Sequence, residues 1–240
     1  MLKKIKTTAG VYKYDFHPLF PGIKRINKII AKENLLLVKN ILDKEELPFM
    51  LAYGTLLGAV REHDFIAHDE DIDLIVLKEY FDRFIALLFI FRTKGFEVVR
   101  YEKRGFLSLM RKGEYIDFYF YQDYPGEPAL RYCGQDLYFK EELNNLIDYD
   151  FLDTTFKVPK NYVKYLEFYY GESWRHPIIA FNYNLSGVGR VKEYAIQYIK
   201  ALLPERLLEI LQEKKDKKRM CQWIKKAHQF KLQAVNPYKE

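Results

Sequence analysis

An apolar strand that runs into a glycine turn, answered a few residues later by a run of acids leading into a second apolar strand, leaves a chain few ways to fold. Tyr53-Gly54-Thr55-Leu56-Leu57-Gly58-Ala59-Val60-Arg61 is followed eight residues on by Asp69-Glu70-Asp71-Ile72-Asp73-Leu74. If Ile72 to Leu77 form a buried strand, alternation puts Asp71 and Asp73 on one face, roughly 7 Å apart at their Cβ atoms. Two like charges that close are unfavourable without a cation between them. A hard ion such as Mg²⁺ takes carboxylate oxygens and completes its shell with water and phosphate, so the pattern points to a divalent-metal phosphotransfer site. The plain alternative is a solvated acidic loop, against which stands the position of the acids inside an apolar strand.

Around this pair the chain reads as an alternation of helices and strands. Residues 1 to 22, with Pro18, Pro21 and Gly22, show no clear period and are expected to form an irregular arm. Ile23, Ile26, Ile30, Leu37 and Ile41 recur at helical spacing and predict a helix from about Lys24 to Glu46, ending before Pro48. Pro48 to Tyr53 reads as a short buried strand, and Leu56 to Arg61 as a helical segment whose first N–H groups face the strand end. Lys78 to Lys94 predicts one helix stopped by Gly95. Phe96 to Tyr101, Phe106 to Arg111 and Tyr115 to Tyr121 are strands of an antiparallel meander. Residues 122 to 150 are turn-rich; a strand at Thr155 to Val158 and a helix from Pro159 to Tyr170, stopped by Gly171, follow. From Pro204 the pattern is helical and basic. The expected class is α+β, a mixed sheet flanked by helices with a helical C-terminal extension. The expected division is a catalytic domain over residues 1 to 190 and a basic extension over 191 to 240 packed on it.

One more acid belongs with the pair. Asp117 lies between Ile116 and Phe118 in an aromatic strand, where burying a lone carboxylate is costly unless it is paired or bound to metal. If that strand lies beside the one bearing Asp71 and Asp73, facing side chains sit about 5 Å apart. Three carboxylates would then share one or two ions about 3.5 to 4 Å apart. Pairing of Asp117 with a nearby Lys or Arg is the competing reading.

Composition narrows the partners. The formal charge of +6 suggests an anionic partner, but from Lys214 to Lys226 seven Lys/Arg stand against one Asp, so the excess is concentrated near the C-terminus. Cys133 and Cys221 fit neither a disulfide framework nor a zinc pattern. The basic N-terminus has no apolar run behind it, unlike a signal peptide. The longest apolar run, Phe84 to Phe91, is eight residues, far short of the roughly 20 that span a membrane. Together these features predict a cytoplasmic protein, peripheral at most on the inner face of a membrane.

Gly-Thr after an apolar strand, then Asp-Ile-Asp, then a later Asp in a strand resembles the nucleotidyltransferase superfold of DNA polymerase β. More closely, Tyr53 to Leu74 resembles the LicD family of phosphocholine and fukutin-type ribitol-phosphate transferases, whose run is approximately G-T-L-L-G-A-V-R, a spacer, then G-F-I-P-W-D-D-D-I-D. Gly54 to Arg61 match throughout, as do Phe65, Ile66, Asp69, Asp71, Ile72 and Asp73. Asp64, Ala67, His68 and Glu70 depart from the family's Gly, Pro, Trp and Asp. Ile116-Asp117-Phe118 is similar to a later family strand, and Val158-Pro159 through Tyr170-Gly171 to a later helix.

The resemblance implies a nucleotidyltransferase-like core. It also implies transfer of a substituted phosphate from a CDP-linked donor to a hydroxyl of a glycan or lipid-linked glycan, releasing CMP. Asp71 and Asp73 would hold Mg²⁺ or Mn²⁺, and Asp117 a second ion or the proton of the acceptor hydroxyl. The N–H groups of Gly54 and Thr55, the Thr55 hydroxyl and Arg61 would bind phosphate. Asp69 would brace Arg61 or touch the metal through water, and Gly58 would be a close-packing position.

Rival readings stay open: a nucleotidyltransferase moving NMP onto a small molecule, protein or RNA, a glycosyltransferase using Asp71-x-Asp73, or a nucleic-acid binder using the basic tail. The last leaves the buried acids unexplained, so no nucleic acid is expected. Twenty tyrosines and eighteen phenylalanines are read mainly as packing. Among them, the clusters Tyr119, Tyr121, Tyr124 and Tyr165, Tyr169, Tyr170 are able to stack on a sugar or cage an ammonium if they converge. The basic stretch Glu213 to Arg219, with Trp223, Ile224 and Phe230, is a candidate for contact with an anionic leaflet.

Overall fold

The computed structural model describes residues 2–19, 24–177 and 187–235; Pro21, Gly22 and Ile23 lie outside the described residues. The N-terminal arm is not irregular. It forms a hairpin of β1 (Leu2–Thr7) and β2 (Gly10–Asp15), with Leu2 opposite Asp15 and Thr7 opposite Gly10. Gly10 takes φ +129°, and Thr7 Oγ1 accepts from Ala9 N at 3.1 Å to close the turn. Only Ile5, Tyr12 and Tyr14 are buried. Three inward residues separated by lysines make a period of two that is too short to read from sequence.

Asn27 then caps α1 (Lys28–Lys44), its side chain accepting from the N–H groups of Ile29 and Ile30. The helix therefore starts four residues after the expected Lys24. β3 (Met50–Leu51) and α2 (Tyr53–Arg61) follow, with Gly54 and Thr55 inside the first helical turn rather than before it. β4 (Ile72–Leu77) is buried along nearly its whole length. The helix expected over Lys78 to Lys94 is broken into a 3₁₀ turn (Lys78–Tyr80), α3 (Phe81–Ala86) and α4 (Leu88–Thr93), with Leu87 N donating to Phe84 O at 3.0 Å at the joint. Phe84, Leu88 and Phe91 stay buried across the break, so packing of the apolar side outweighs helical continuity. Gly95, at φ +85°, ends it.

The meander forms as β5 (Glu97–Glu102), β6 (Phe106–Arg111) and β7 (Glu114–Asp123). The turn-rich stretch holds β8 (Leu130–Cys133), β9 (Asp136–Phe139) and the short α5 (Lys140–Asn144), and β10 (Leu146–Phe151) pairs with β11 (Thr154–Pro159). β8 and β9 escape notice because each is four residues long and carries polar side chains; buried Arg131 donates from Nε to Asp123 at 2.9 Å.

The main sheet runs β3-β4-β7-β6-β5, with β8 on β7 and β9 on β8. Its one parallel pair, β4 with β7, is joined by the crossover through α3, α4, β5 and β6, and it sets Asp73 level with Asp117. A mixed sheet flanked by helices results, as the α+β reading requires.

α6 (Tyr162–Tyr170) ends at Gly171, φ +80°. α7 (Gly187–Leu202) and the long α8 (Glu205–Val235) complete the described chain. Residue 190 falls in the first turn of α7, so the change of element precedes it. α8 lies against β9 and α6: Asp216 accepts from Arg104 Nη1 at 2.8 Å, and Trp223 stacks on Phe168 with centroids 5.2 Å apart. Phe230 meets Phe139 and Phe168. Trp223, Ile224 and Phe230 are thus half-buried, packed against the core.

Candidate active site

The site grows from the junction of β3, α2 and β4. Tyr53 opens α2 at φ +41°, a left-handed conformation that costs a bulky side chain of order 1–3 kcal/mol and is held by its surroundings. The Tyr53 hydroxyl bonds that of Tyr121, which reaches Tyr169 at 3.1 Å, and the Tyr53 ring lies 4.8 Å from that of Tyr119. This fixed turn aims the helix start at β4. Gly54 N donates to Asp73 Oδ2 at 3.1 Å, and Asp73 N donates to Thr55 Oγ1 at 2.8 Å. The Gly54 N–H is therefore engaged by the Asp73 carboxylate and the Thr55 hydroxyl accepts from the Asp73 backbone, and Thr55 is buried. A Cβ on Gly54 would stand 2.2 Å from Asp69 Oδ2, so the glycine makes room for a carboxylate. At Gly58 a Cβ would meet Asp64 O at 2.6 Å, a close approach of backbone to backbone.

Asp73 Oδ1 accepts from Tyr119 OH at 2.9 Å. Its hydrogen-bond donors are thus all neutral. Asp117, its neighbour in register, is different: Ser108 donates to Oδ1 and the Arg100 guanidinium to Oδ2, and Arg100 Nε also donates to Ser108 Oγ at 3.0 Å. Asp71 stands just before β4, and Asp69 turns toward Gly54 with its Oδ1 accepting from Glu70 N at 3.0 Å.

Burial and mutual repulsion dominate the electrostatics. Burial pushes Asp71 well above the ordinary carboxylate range, and Asp73, Asp117, Asp69 and Glu70 add to the push. Asp73 is raised by burial, then by Asp69 and Asp117, against the donors Tyr119 and Gly54. Asp69 is raised by burial, with the Glu70 N–H and His68 pulling back. Asp117 is raised by burial but drawn down by Arg100 and Ser108.

Asp69, Asp71 and Asp73 line one cleft of about 390 Å³ with Tyr53, Gly54, Leu57, Arg61, Ile66, His68, Tyr119, Tyr170, Trp174 and His176. Arg61 Nη1 donates to Trp174 O at 3.1 Å and Nη2 to Glu62 at 2.8 Å. Its Nε, like Trp174 Nε1, is buried without a hydrogen-bond partner. Of the residues expected to bind phosphate, Gly54 and Arg61 reach the cleft wall and Thr55 does not. Asp117 is also absent from the lining.

A divalent ion can be weighed against this donor set. Among the described residues no three His, Cys, Asp or Glu side chains form a ready metal cage. The cleft carboxylates are hard oxygen donors carrying uncompensated like charge, which fits an ion held by two carboxylates and completed by water and phosphate. Asp117 already has a cation in Arg100.

Sequence reasoning missed Trp174, His176 and Arg100 altogether, and placed Tyr119 and Tyr170 only in tyrosine clusters. Of those clusters, Tyr119 and Tyr170 line the cleft, while Tyr121, Tyr165 and Tyr169 join the core and Tyr124 packs edge-on against Tyr132. The competing reading gave Asp117 an unspecified Lys or Arg; the pairing of β5 with β6 and β6 with β7 makes it Arg100.

Residues 46–161 match the family described as LicD/FKTN/FKRP, nucleotidyltransferase domain, and curated relatives support membership of that family. Among curated proteins, the human ribitol-5-phosphate transferase FKTN is 28% identical over 167 residues, 65% of this chain and 35% of that protein. The lipopolysaccharide cholinephosphotransferase LicD of Haemophilus influenzae is 32% identical over 71 residues, 27% of each. The chain thus spans about a third of the length of the first of these relatives and about a quarter of the second. Among solved structures, the lincomycin-bound lincosamide antibiotic adenylyltransferase LnuA is 12% identical with a TM-score of 0.43, covering 68% of this chain and 95% of that one. The antibiotic-resistance factor ANT(2'')-Ia gives 13% and 0.44, covering 84% and 99%. Likenesses that distant say nothing about chemistry.

Proposed function

We propose that this chain is a LicD-type phosphotransferase, moving a substituted phosphate from a CDP-linked donor to a hydroxyl of a glycan or lipid-linked glycan with release of CMP. The observation that carries the reading is the cleft itself. It combines three carboxylates of raised proton affinity, Asp73 buried and Asp69 and Asp71 half-buried, with two lining residues, Arg61 and Trp174, whose Nε and Nε1 are buried without a hydrogen-bond partner. The match to the LicD family supports the same class of chemistry.

Asp71 and Asp73 would hold Mg²⁺ or Mn²⁺, which when bound would neutralise the diphosphate and polarise the phosphorus under attack. Gly54 and Tyr119 hold the Asp73 carboxylate and Thr55 the Asp73 backbone N–H, which limits the orientations in which the side chain would meet an ion. Arg61, with Trp174, binds phosphate oxygens, and Asp69 sits beside the ion site. The acceptor oxygen bonds to the distal phosphorus as the diphosphate bridge breaks, and CMP leaves with the bridging oxygen. Asp117, outside the cleft lining, would hold a second ion or take the acceptor's proton only if Arg100 released its Oδ2.

The test is a donor panel in Mg²⁺: CDP-choline, CDP-ethanolamine, CDP-glycerol and CDP-ribitol, with products resolved by chromatography. CMP formed from one of them, and lost with EDTA, is the expected result. Release of pyrophosphate from a nucleoside triphosphate would assign the nucleotidyltransferase rival. Release of a nucleoside diphosphate from a sugar nucleotide would assign the glycosyltransferase.

A further inference from the structure

Outside the cleft, the largest unexplained feature is the outward side of the two C-terminal helices. Val188, Val191, Ala195, Tyr198, Ile199 and Leu202 fall within a single stripe of about 100° along α7. Val188 is 80% exposed, Val191 69% and Leu202 74%. The opposite side of the helix is tied down, Gln197 exchanging hydrogen bonds with the backbone of Leu19 at 2.8 and 3.0 Å. α8 continues the pattern after Pro204. Its first turns expose Leu207, Ile210 and Leu211, and the same face runs on into exposed Lys214, Lys217, Lys218 and Lys225. No Asp or Glu falls on that face. Glu209 turns away to Lys103 and Asp216 to Arg104, while exposed Glu213 borders the face about 40° from Lys217.

From this geometry we infer that α7 and the outer face of α8 form a membrane-surface element that lies on an anionic bilayer. An apolar stripe beside a row of lysines suits the boundary between acyl chains and acidic headgroups. Charge complementarity selects this occupant. A second copy of the chain docked by a two-fold axis through α8 would bring the lysine row against itself. No helix among the described residues is long and apolar enough to cross a membrane, so the element lies on the surface rather than spanning it. The inference keeps the lysines between Glu213 and Arg219 and relocates the apolar part of the contact from Trp223, Ile224 and Phe230, which pack on the core, to the α7 stripe and the first turns of α8. It stands independently of the reaction proposed for the cleft.

Sedimentation of the full chain with vesicles decides it. Recovery is expected with vesicles of phosphatidylcholine and phosphatidylglycerol, and not with phosphatidylcholine alone. V188S/V191S/I199S/L202S and K214E/K217E/K218E should each lower the partition coefficient, the second by roughly fivefold or more per lysine. Every substituted residue is exposed, and unchanged circular dichroism melts and unchanged CMP release from a soluble donor would show the fold and cleft intact. Equal recovery on neutral and anionic vesicles, or undiminished binding by the stripe variant, overturns the inference. A dimer in light scattering that V188S/V191S/I199S/L202S dissociates, without vesicle binding, would assign the face to a second copy instead.

Discussion

Asp73 and Asp117 are register neighbours on adjacent parallel strands, yet they are held in opposite ways. Asp73 receives only neutral donors, the Gly54 N–H and the Tyr119 hydroxyl, and borders a cleft that brings two more acids beside it. Asp117 is closed off by Arg100 and Ser108 and does not reach the cleft lining. The charge of one carboxylate has no cation among the described residues to answer it; that of the other has Arg100. The lesson is that a carboxylate's neighbours, more than its presence in a motif, decide whether it can serve a cation.

If that contrast is real, the two acids respond oppositely to substitution. Asp71→Asn or Asp73→Asn should lower the rate of CMP release by about a thousandfold, the scale expected when a metal ligand and its charge are lost, while raising the melting temperature of the metal-free protein. A variant with full metal-dependent turnover would remove both carboxylates from the proposed site. Arg100→Gln should do the reverse to stability. Leaving Asp117 buried without its cation destabilises the metal-free chain by about 3 kcal/mol, measured by urea unfolding, and added Mg²⁺ should recover part of the loss. Unchanged unfolding would mean that the Arg100 contact contributes nothing.

Smaller effects sharpen the same comparison. Tyr119→Phe deletes one neutral donor to Asp73, and Mg²⁺ affinity by calorimetry should fall about tenfold; unchanged affinity would leave Tyr119 a packing residue. The last effect is one of pH. Asp69, Asp71 and Asp73 hold protons more tightly folded than unfolded, so their contribution is fully present below the ordinary carboxylate value near pH 4 and is lost as pH rises through the raised folded values. Between about pH 5 and pH 8, the metal-free wild type should therefore lose about 2–4 °C more in melting temperature than Asp71→Asn. Parallel curves would contradict the assigned direction.

Much of this was legible because the informative residues are contiguous. Gly54 to Asp73 sit on one strand-helix-strand unit, so spacing alone gathers Gly54, Asp69, Asp71 and Asp73, and the aromatic strand around Asp117 could be laid beside them by the cost of burying an acid. What spacing could not give is direction. The Thr55 hydroxyl belongs to a phosphate-binding pattern, yet it accepts from Asp73 N, because its place inside the first turn of α2 points it at β4. Arg100 reaches Asp117 across an intervening strand, a relation set by sheet order and invisible along the chain. The N-terminal hairpin and the strands between residues 130 and 151 were lost for a simpler reason: each buries too few residues on one face to show a period.

Titration calorimetry of Mg²⁺ into the metal-free wild type and Asp73→Asn, with Arg100→Gln as a third arm, tests the central claim most directly. The account predicts binding to the wild type, loss of that binding in Asp73→Asn, and tighter or additional binding in Arg100→Gln once Asp117 is released. Equal Mg²⁺ binding by wild type and Asp73→Asn would contradict it.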